Sequence, residues 1–216
     1  MGRSLNDSLS IIGNLLLFFS GILLFTILVQ QEGSLFLFSI LGLVVSALAV
    51  VKYAKKWSDM KESFGLNKIQ KENIYFIPVA ILLSVFLSLY YRFTLNVDII
   101  PKHFTSFAIL AAMIGATEEL IFRGYIQFRS RDLGVVVSIL IATIAHTVYK
   151  CVVFVSLPAV EPVNIGFLVF WTIFIGLILG VMKEISRSIY IPIIFHALFD
   201  ILVYGDGTIS TWWVFA

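Results

Sequence analysis

Long apolar stretches alternate with short polar ones along almost the whole chain. The stretches are close to the 20 or so residues that an α-helix needs to cross a bilayer. They predict seven transmembrane helices, over residues 9–29, 34–53, 74–95, 104–126, 133–157, 163–182 and 188–204. The last is short for a span, but Trp212, Trp213 and Phe215 after it are typical of a membrane interface.

The composition also indicates a membrane protein. The chain is 60% hydrophobic and 13% charged, whereas soluble domains are about 45–50% apolar and about 25% charged. The predicted fold class is therefore an all-α, polytopic bundle of membrane helices, forming a single domain over residues 1–216. The net charge of +2 leaves no basic domain for nucleic acid, and the single cysteine, Cys151, excludes an intrachain disulfide.

The lysines and arginines predict the orientation of the bundle. Eleven of the 15 fall on one side of it, at Arg3, Lys52, Lys55, Lys56, Lys61, Lys68, Lys71, Arg129, Arg131, Lys183 and Arg187. Arg92 and Lys102 fall on the other side, and Arg123 and Lys150 lie within spans. Because basic loops stay in the cytoplasm, we expect a cytoplasmic N-terminus and, with seven spans, a C-terminus outside.

The lysine-rich loop at 54–73 also contains apolar residues, at Trp57, Met60, Phe64 and Ile69. Two interpretations fit this mixture. The segment is either an amphipathic helix at the membrane interface or a solvated loop whose lysines fix the topology.

Seven acidic, basic or histidine side chains lie inside the fourth, fifth and seventh predicted spans: Glu118, Glu119, Arg123, His146, Lys150, His196 and Asp200. Such residues are costly in a bilayer, face the bundle interior and mark functional sites. At 1.5 Å per residue, Glu118 and His196 lie roughly 12 Å, and His146 roughly 20 Å, from the cytoplasmic ends of their spans. We therefore expect them to converge, in the cytoplasmic half of the membrane or near its midplane.

Helical spacing predicts partners within this set. Glu119 and Arg123 are four residues apart, share a helix face and can form a structural clamp. Glu118 points about 100° away from Glu119 and has no partner on its own helix, which makes it a candidate general base. His196 and Asp200 are also four apart, so the carboxylate could accept the imidazole N–H and orient the ring.

Two further residues are less decisive. His146 alone is equally compatible with a buried structural histidine. Lys150 lies one turn further out on the same helix, and we expect its ammonium to extend to the outer interface. His103 lies in a predicted outside loop and is given no role.

Taken together, these pieces resemble a known family. EELIFR (118–123), ATIAH (142–146) and HALFD (196–200) are similar to the motifs EExxxR, a histidine in the next helix, and HxxxN or HxxxD. These motifs belong to the CPBP intramembrane proteases, also called type II CAAX prenyl endopeptidases or the Abi family. The resemblance implies a protease core over 104–204 and a family-variable part over 9–95. Ala142 departs from the usual FxxxH, and Asp200 stands where the prenyl-protein enzymes usually have asparagine.

The resemblance implies a hydrolytic mechanism. Glu118 and His146 would hold and deprotonate a water, which attacks a peptide carbonyl near the cytoplasmic side. His196, with Asp200, would stabilise the oxyanion that develops.

The resemblance also implies the surroundings of the reaction. Glu119 and Arg123 would support the site's geometry. No cofactor is expected, with Zn²⁺ on two histidines and a glutamate as the alternative. The expected partners are membrane lipid and a peptide or protein substrate, with or without a lipid modification, and no nucleic acid.

Other functions remain open at this point. The compact length favours a prokaryotic plasma-membrane protein that processes a CAAX protein, a peptide precursor or a leader. A non-catalytic binding or bacteriocin self-immunity protein of the same fold is the alternative, which the departures at Ala142 and Asp200 would suit. A transporter or proton relay also uses buried Glu and His, but the chain shows no inverted repeat.

Overall fold

The computed structural model describes residues 5–31, 38–54, 57–66, 71–155 and 164–207, and a helix forms at each of the seven predicted spans. The α-helices of the described residues are α1 (Leu5–Val29), α2 (Ser39–Tyr53), the short α3 (Trp57–Ser63), α4 (Phe76–Thr94), α5 (Phe107–Glu119), α6 (Val135–Val155), α7 (Ile165–Ser186) and α8 (Tyr190–Tyr204). No strand occurs in this part of the chain.

The helices have the length and composition of membrane spans. Within the described ranges, α1, α4, α6 and α7 are long and apolar enough to cross a membrane, and α2 and α8 are apolar but shorter. The chain is thus an all-helical membrane bundle, as its sequence predicts. The number of seven crossings stays a prediction.

The fourth predicted span is not one regular helix. Directly after Glu119, α5 continues as a π-helix over Leu120–Gln127 and then as one α-helical turn, Phe128–Ser130. The helical path therefore continues to Ser130, four residues past the predicted end of this span. π-helical turns are rare and frequently occur at functional sites, and this one carries Arg123.

Two pairs of helices form the flanks of the bundle. On one flank, α1 and α2 approach closely at Gly21 and Gly42, where an added Cβ on Gly21 would lie 2.6 Å from the Gly42 carbonyl oxygen. On the other flank α4 packs on α8, and the Ser84 hydroxyl donates to the Phe195 carbonyl at 2.8 Å. Near the ends of these two helices, the buried Arg92 pairs with Asp206 at 2.6 Å.

The described basic residues of the loops that are predicted to be cytoplasmic gather at one end of the bundle, which we call the basic end. The Arg129 guanidinium lies 4.1 Å from the centre of the Tyr53 ring, so the end of α2 meets the end of the π-helical path. Arg131 reaches Glu184 at the end of α7, with an N–O distance of 3.2 Å. The loops that the sequence predicts on one side of the membrane thus lie at one end of the bundle.

The segment predicted as an interfacial helix or a solvated loop contains a short helix, Trp57–Ser63. Met60 and Phe64 pack against the apolar cluster of α1, α2 and the π-helix. The Phe64 ring lies 5.5 Å from that of Tyr125. These described residues therefore pack on the basic end of the bundle, and the interfacial position stays a prediction. Several residues used in the predictions lie outside the described ranges: Arg3, Lys55, Lys56, Lys68, Ile69, Trp212, Trp213 and Phe215.

Candidate active site

Three helical paths bring the predicted ionisable residues together in one buried cluster. Glu118, at the end of α5, is 3% exposed. Its Oε2 lies 3.0 Å from Nε2 of His146 on α6 and 3.7 Å from Nε2 of His196 on α8. The two imidazole rings face each other edge to face, with their centres 5.8 Å apart. Glu118 thus has its partners on other helices, whereas helical spacing gives it no partner on α5.

Lys150 belongs to this cluster. Its Nζ lies 2.5 Å from Oε1 of Glu118, and its side chain is 21% exposed. The expectation that Lys150 extends to the outer interface is therefore wrong. Lys150 follows His146 by one helical turn and shares its face, and a buried carboxylate in a medium of low dielectric constant attracts an ammonium strongly.

The predicted pair of Glu119 and Arg123 is present, and it has an additional partner. Glu119 Oε1 accepts from Arg123 Nη1 and from His196 Nδ1, both at 2.8 Å. Arg123 Nη2 donates to the Gly176 carbonyl of α7 at 3.2 Å. Glu119 and Arg123 are both fully buried. The clamp therefore holds α5, α7 and α8 at fixed positions around Glu118.

The contacts of His146 fix where its hydrogen lies. Arg123 Nη1 is 3.1 Å from Nδ1 of His146, and a guanidinium can only donate. Nδ1 is therefore the acceptor, and the neutral ring carries its hydrogen on Nε2, which donates to Glu118. In this arrangement His146 orients the Glu118 carboxylate and does not accept a proton itself. Its ring stacks on Phe122, with the ring centres 4.6 Å apart.

His196 is oriented by Glu119 and not by Asp200. Its Nδ1 hydrogen is directed at Glu119, whereas Asp200 Oδ2 lies 3.7 Å from Nε2, beyond a hydrogen bond. The expected contact between the Asp200 carboxylate and the imidazole N–H is therefore absent. The Asp200 carboxylate instead lies against Gly115, where an added Cβ would be 2.8 Å from Oδ2. Only a glycine at 115 leaves room for it.

The charges of the cluster nearly cancel. With every carboxylate ionised, the cluster holds three negative charges against two fixed positive ones, on Glu118, Glu119, Asp200, Arg123 and Lys150. One further positive charge is needed for balance. His196 can supply it, because its Nε2 lies 3.7 Å from each of two carboxylate oxygens. A doubly protonated His196 presents an N–H at Nε2.

A cavity of about 80 Å³ adjoins the cluster. This volume is enough for several water molecules. Polar groups line its floor, and most of its wall is apolar or aromatic. The lining residues are Tyr91, Ala111, Ile114, His146, Lys150, Phe154, Leu168, Trp171, Thr172, Ile175, His196, Phe199, Asp200 and Tyr204.

The donors in this cluster do not fit a zinc ion as they are arranged. His146 has only Nε2 left for a ligand, and that nitrogen carries the hydrogen bonded to Glu118. Oε1 of Glu118 faces the Lys150 ammonium. Among the described residues, no three His, Cys, Asp or Glu side chains are grouped as a metal site requires. A cofactor-free site stays a prediction, which chelation can test.

The comparison with known families agrees with this geometry. A family model described as type II CAAX prenyl endopeptidase Rce1-like matches residues 100–202. Over this segment the chain is similar to the Rce1-like family. The match covers just under half of the chain and contains every residue of the cluster. No curated protein and no solved structure matches the chain.

This similarity agrees with the protein class that the sequence motifs predict, an intramembrane protease of the CAAX type. The departure at Ala142 also has a structural counterpart. Ala142 is buried in the apolar cluster beside the π-helix, and the aromatic ring on His146 comes from Phe122. Phe122 is the phenylalanine of EELIFR, but only the fold shows that its ring stacks on His146.

Proposed function

We propose that this chain is an intramembrane endopeptidase in which Glu118 activates a water molecule for attack on a peptide bond. One observation carries the proposal. A buried carboxylate lies within 3.0–3.7 Å of two imidazoles from two other helices, beside a cavity large enough for water. Such a constellation supplies the base and the oxyanion donors that hydrolysis requires.

The proposed reaction proceeds in two steps. The water gives a proton to the Glu118 carboxylate while its oxygen bonds to the peptide carbonyl carbon, and the carbonyl electron pair moves to the oxygen. When the tetrahedral intermediate collapses, the C–N bond breaks and the departing amine takes the proton from Glu118. His146 Nε2–H holds the carboxylate in place. No covalent intermediate forms with the protein.

Two positive groups can stabilise the oxyanion. They are the Nε2–H of a protonated His196 and the ammonium of Lys150, both of which line the cavity. Donors that are held in place in a low-dielectric site are the largest single contribution to many hydrolytic reactions. Lys150 thus has two roles in the proposal: it is the counter-ion of Glu118 in the resting site and a donor during the reaction.

The cavity wall favours an apolar substrate segment. Aromatic and aliphatic side chains surround the polar floor, as expected for a peptide that leaves lipid to be cleaved. A prenylated CAAX protein and an apolar peptide precursor or leader both meet this requirement.

A specific contact favours the second candidate, a non-catalytic binding or self-immunity protein. Lys150 neutralises Glu118 at 2.5 Å, which weakens a carboxylate as a base unless substrate or water separates the pair. Cleavage of a peptide library by detergent-purified protein, read by mass spectrometry, distinguishes the two. We expect cleavage by the wild type, none by Glu118→Gln, and no effect of a zinc chelator. A wild type that cleaves nothing would favour binding, and loss of cleavage with the chelator would favour a metal.

A further inference from the structure

The cavity lies entirely on one side of the catalytic cluster. Its wall comes from the last residues of α4 and α6, including Tyr91 and Phe154, and from the first half of α7, including Leu168 and Thr172. These helix ends are at the end of the bundle opposite the basic end. On α6 and α8, the lining residues nearest the basic end are His146 and His196. The cavity therefore extends from the cluster away from the basic end.

The bundle between the cluster and the basic end is tightly packed. An added Cβ on Gly176 or Gly180 of α7 would lie 2.8 Å from Thr143 or Ile139 of α6. On the π-helix, a Cβ on Gly124 would lie 3.0 Å from the backbone of Phe64. Contacts this short pack α7 against α6, and the π-helix against Phe64, on the basic-end side of the cluster.

The basic end is the cytoplasmic one by the distribution of lysine and arginine. Among the described residues it carries Lys52, Lys61, Lys71, Arg129, Arg131, Lys183 and Arg187. At the opposite end, Arg92 is neutralised by its buried pair with Asp206, and the exposed Lys102 pairs with Asp98. The cavity and the positive charge therefore lie at opposite ends.

We propose that the catalytic cavity is entered from the extracytoplasmic side of the membrane, so that the substrate is an apolar peptide segment reaching the site through the outer leaflet. The side of entry is inferred from the positions of the cavity and of the charges. That the peptide is a substrate rests on the proposed function. The sequence alone predicts hydrolysis near the cytoplasmic side. The position of the cavity favours the opposite side, and with it a precursor or leader over a CAAX chain end that stays in the cytoplasm.

Cysteine labelling tests the side of entry without requiring hydrolysis. In a Cys151→Ser background, single cysteines replace Thr172 in the cavity and its neighbour Ile173, whose side chain is 39% exposed on the lipid face. Lys102→Cys and Lys61→Cys report the two ends of the bundle. Intact cells and permeabilised cells are treated with a charged, membrane-impermeant thiol reagent.

We expect Thr172→Cys and Lys102→Cys to be labelled in intact cells and Lys61→Cys only after permeabilisation. Ile173→Cys should react at least about tenfold more slowly than Thr172→Cys, because a thiol in hydrocarbon stays protonated and unreactive. Labelling of Thr172→Cys only after permeabilisation, or no faster than Ile173→Cys, would overturn the proposal. If labelling succeeds and no peptide is cleaved, the proposed function fails while the side of entry stands.

Discussion

The Arg123 guanidinium bonds to three groups of the candidate site. Its removal is predicted to destabilise the whole bundle. Arg123 is fully buried and bonds to Glu119 at 2.8 Å, His146 at 3.1 Å and the Gly176 carbonyl at 3.2 Å. Arg123→Met keeps most of the aliphatic stem but removes the guanidinium from the buried Glu119 carboxylate, which keeps His196 as a partner. Breaking one partner of a buried ion pair costs about 3–5 kcal/mol.

This cost is large enough to measure as a change in melting temperature. For a chain of this size, about 1 kcal/mol corresponds to a shift of roughly 2–4 °C, so we expect Arg123→Met to melt about 6–20 °C below the wild type. The assay is thermal unfolding in detergent. Glu119→Gln combined with Arg123→Met should cost less than the sum of the single changes, because neither charge then remains unpaired.

The chain offers a matched control for the Arg123 prediction. Asp98 and Lys102 form an acid–base pair with the same four-residue spacing, but their side chains are 51% and 76% exposed. Exposed pairs contribute little, so Lys102→Met should leave the melting temperature unchanged. Equal shifts for Arg123→Met and Lys102→Met would refute the argument that burial makes the Arg123 clamp strong.

The remaining predictions concern Lys150, the helix contacts of α1 and metal dependence. Lys150→Met should lower the rate of peptide hydrolysis by about 100-fold, the usual effect of losing one oxyanion donor, while Lys150→Arg should retain most of it; unchanged hydrolysis in Lys150→Met would remove this residue from the site. Gly21→Ala should cost about 1–3 kcal/mol through its clash with α2, whereas Gly13→Ala, which has nothing within 4 Å of its added Cβ, should be neutral or stabilising by about 0.5–1 kcal/mol; equal melting temperatures would contradict the close approach. A zinc chelator should leave the rate of hydrolysis unchanged, and inhibition that added Zn²⁺ reverses would contradict a metal-free site.

Much of the fold follows from hydropathy. Because a membrane span needs about 20 apolar residues, seven apolar runs locate seven helices. The sequence does not predict the change to a π-helix after Glu119, since a π-helical turn has no hydrophobic period of its own in the sequence.

The sequence predicts which residues cluster in the candidate site better than it predicts which of them contact each other. Ionisable residues in an apolar span are rare, so Glu118, His146 and His196 stand out in the sequence. Their partners depend on which helices are neighbours. Lys150 on α6 contacts Glu118 on α5. His196 bonds to Glu119, whereas helical spacing alone would pair it with Asp200. Distances of this kind cannot be derived from separations of four residues along one helix.

The most direct test of the account compares initial rates of hydrolysis of one cleaved peptide by the wild type, Glu118→Gln and Glu62→Gln. Glu62 is an exposed acid at the basic end and serves as the matched control. The amide keeps the shape of Glu118 but cannot accept the proton from water, so we expect its rate to fall by about 10²–10⁴-fold, with Glu62→Gln at the wild-type rate and all three proteins folded. Wild-type hydrolysis by Glu118→Gln would contradict the assignment of Glu118 as the base.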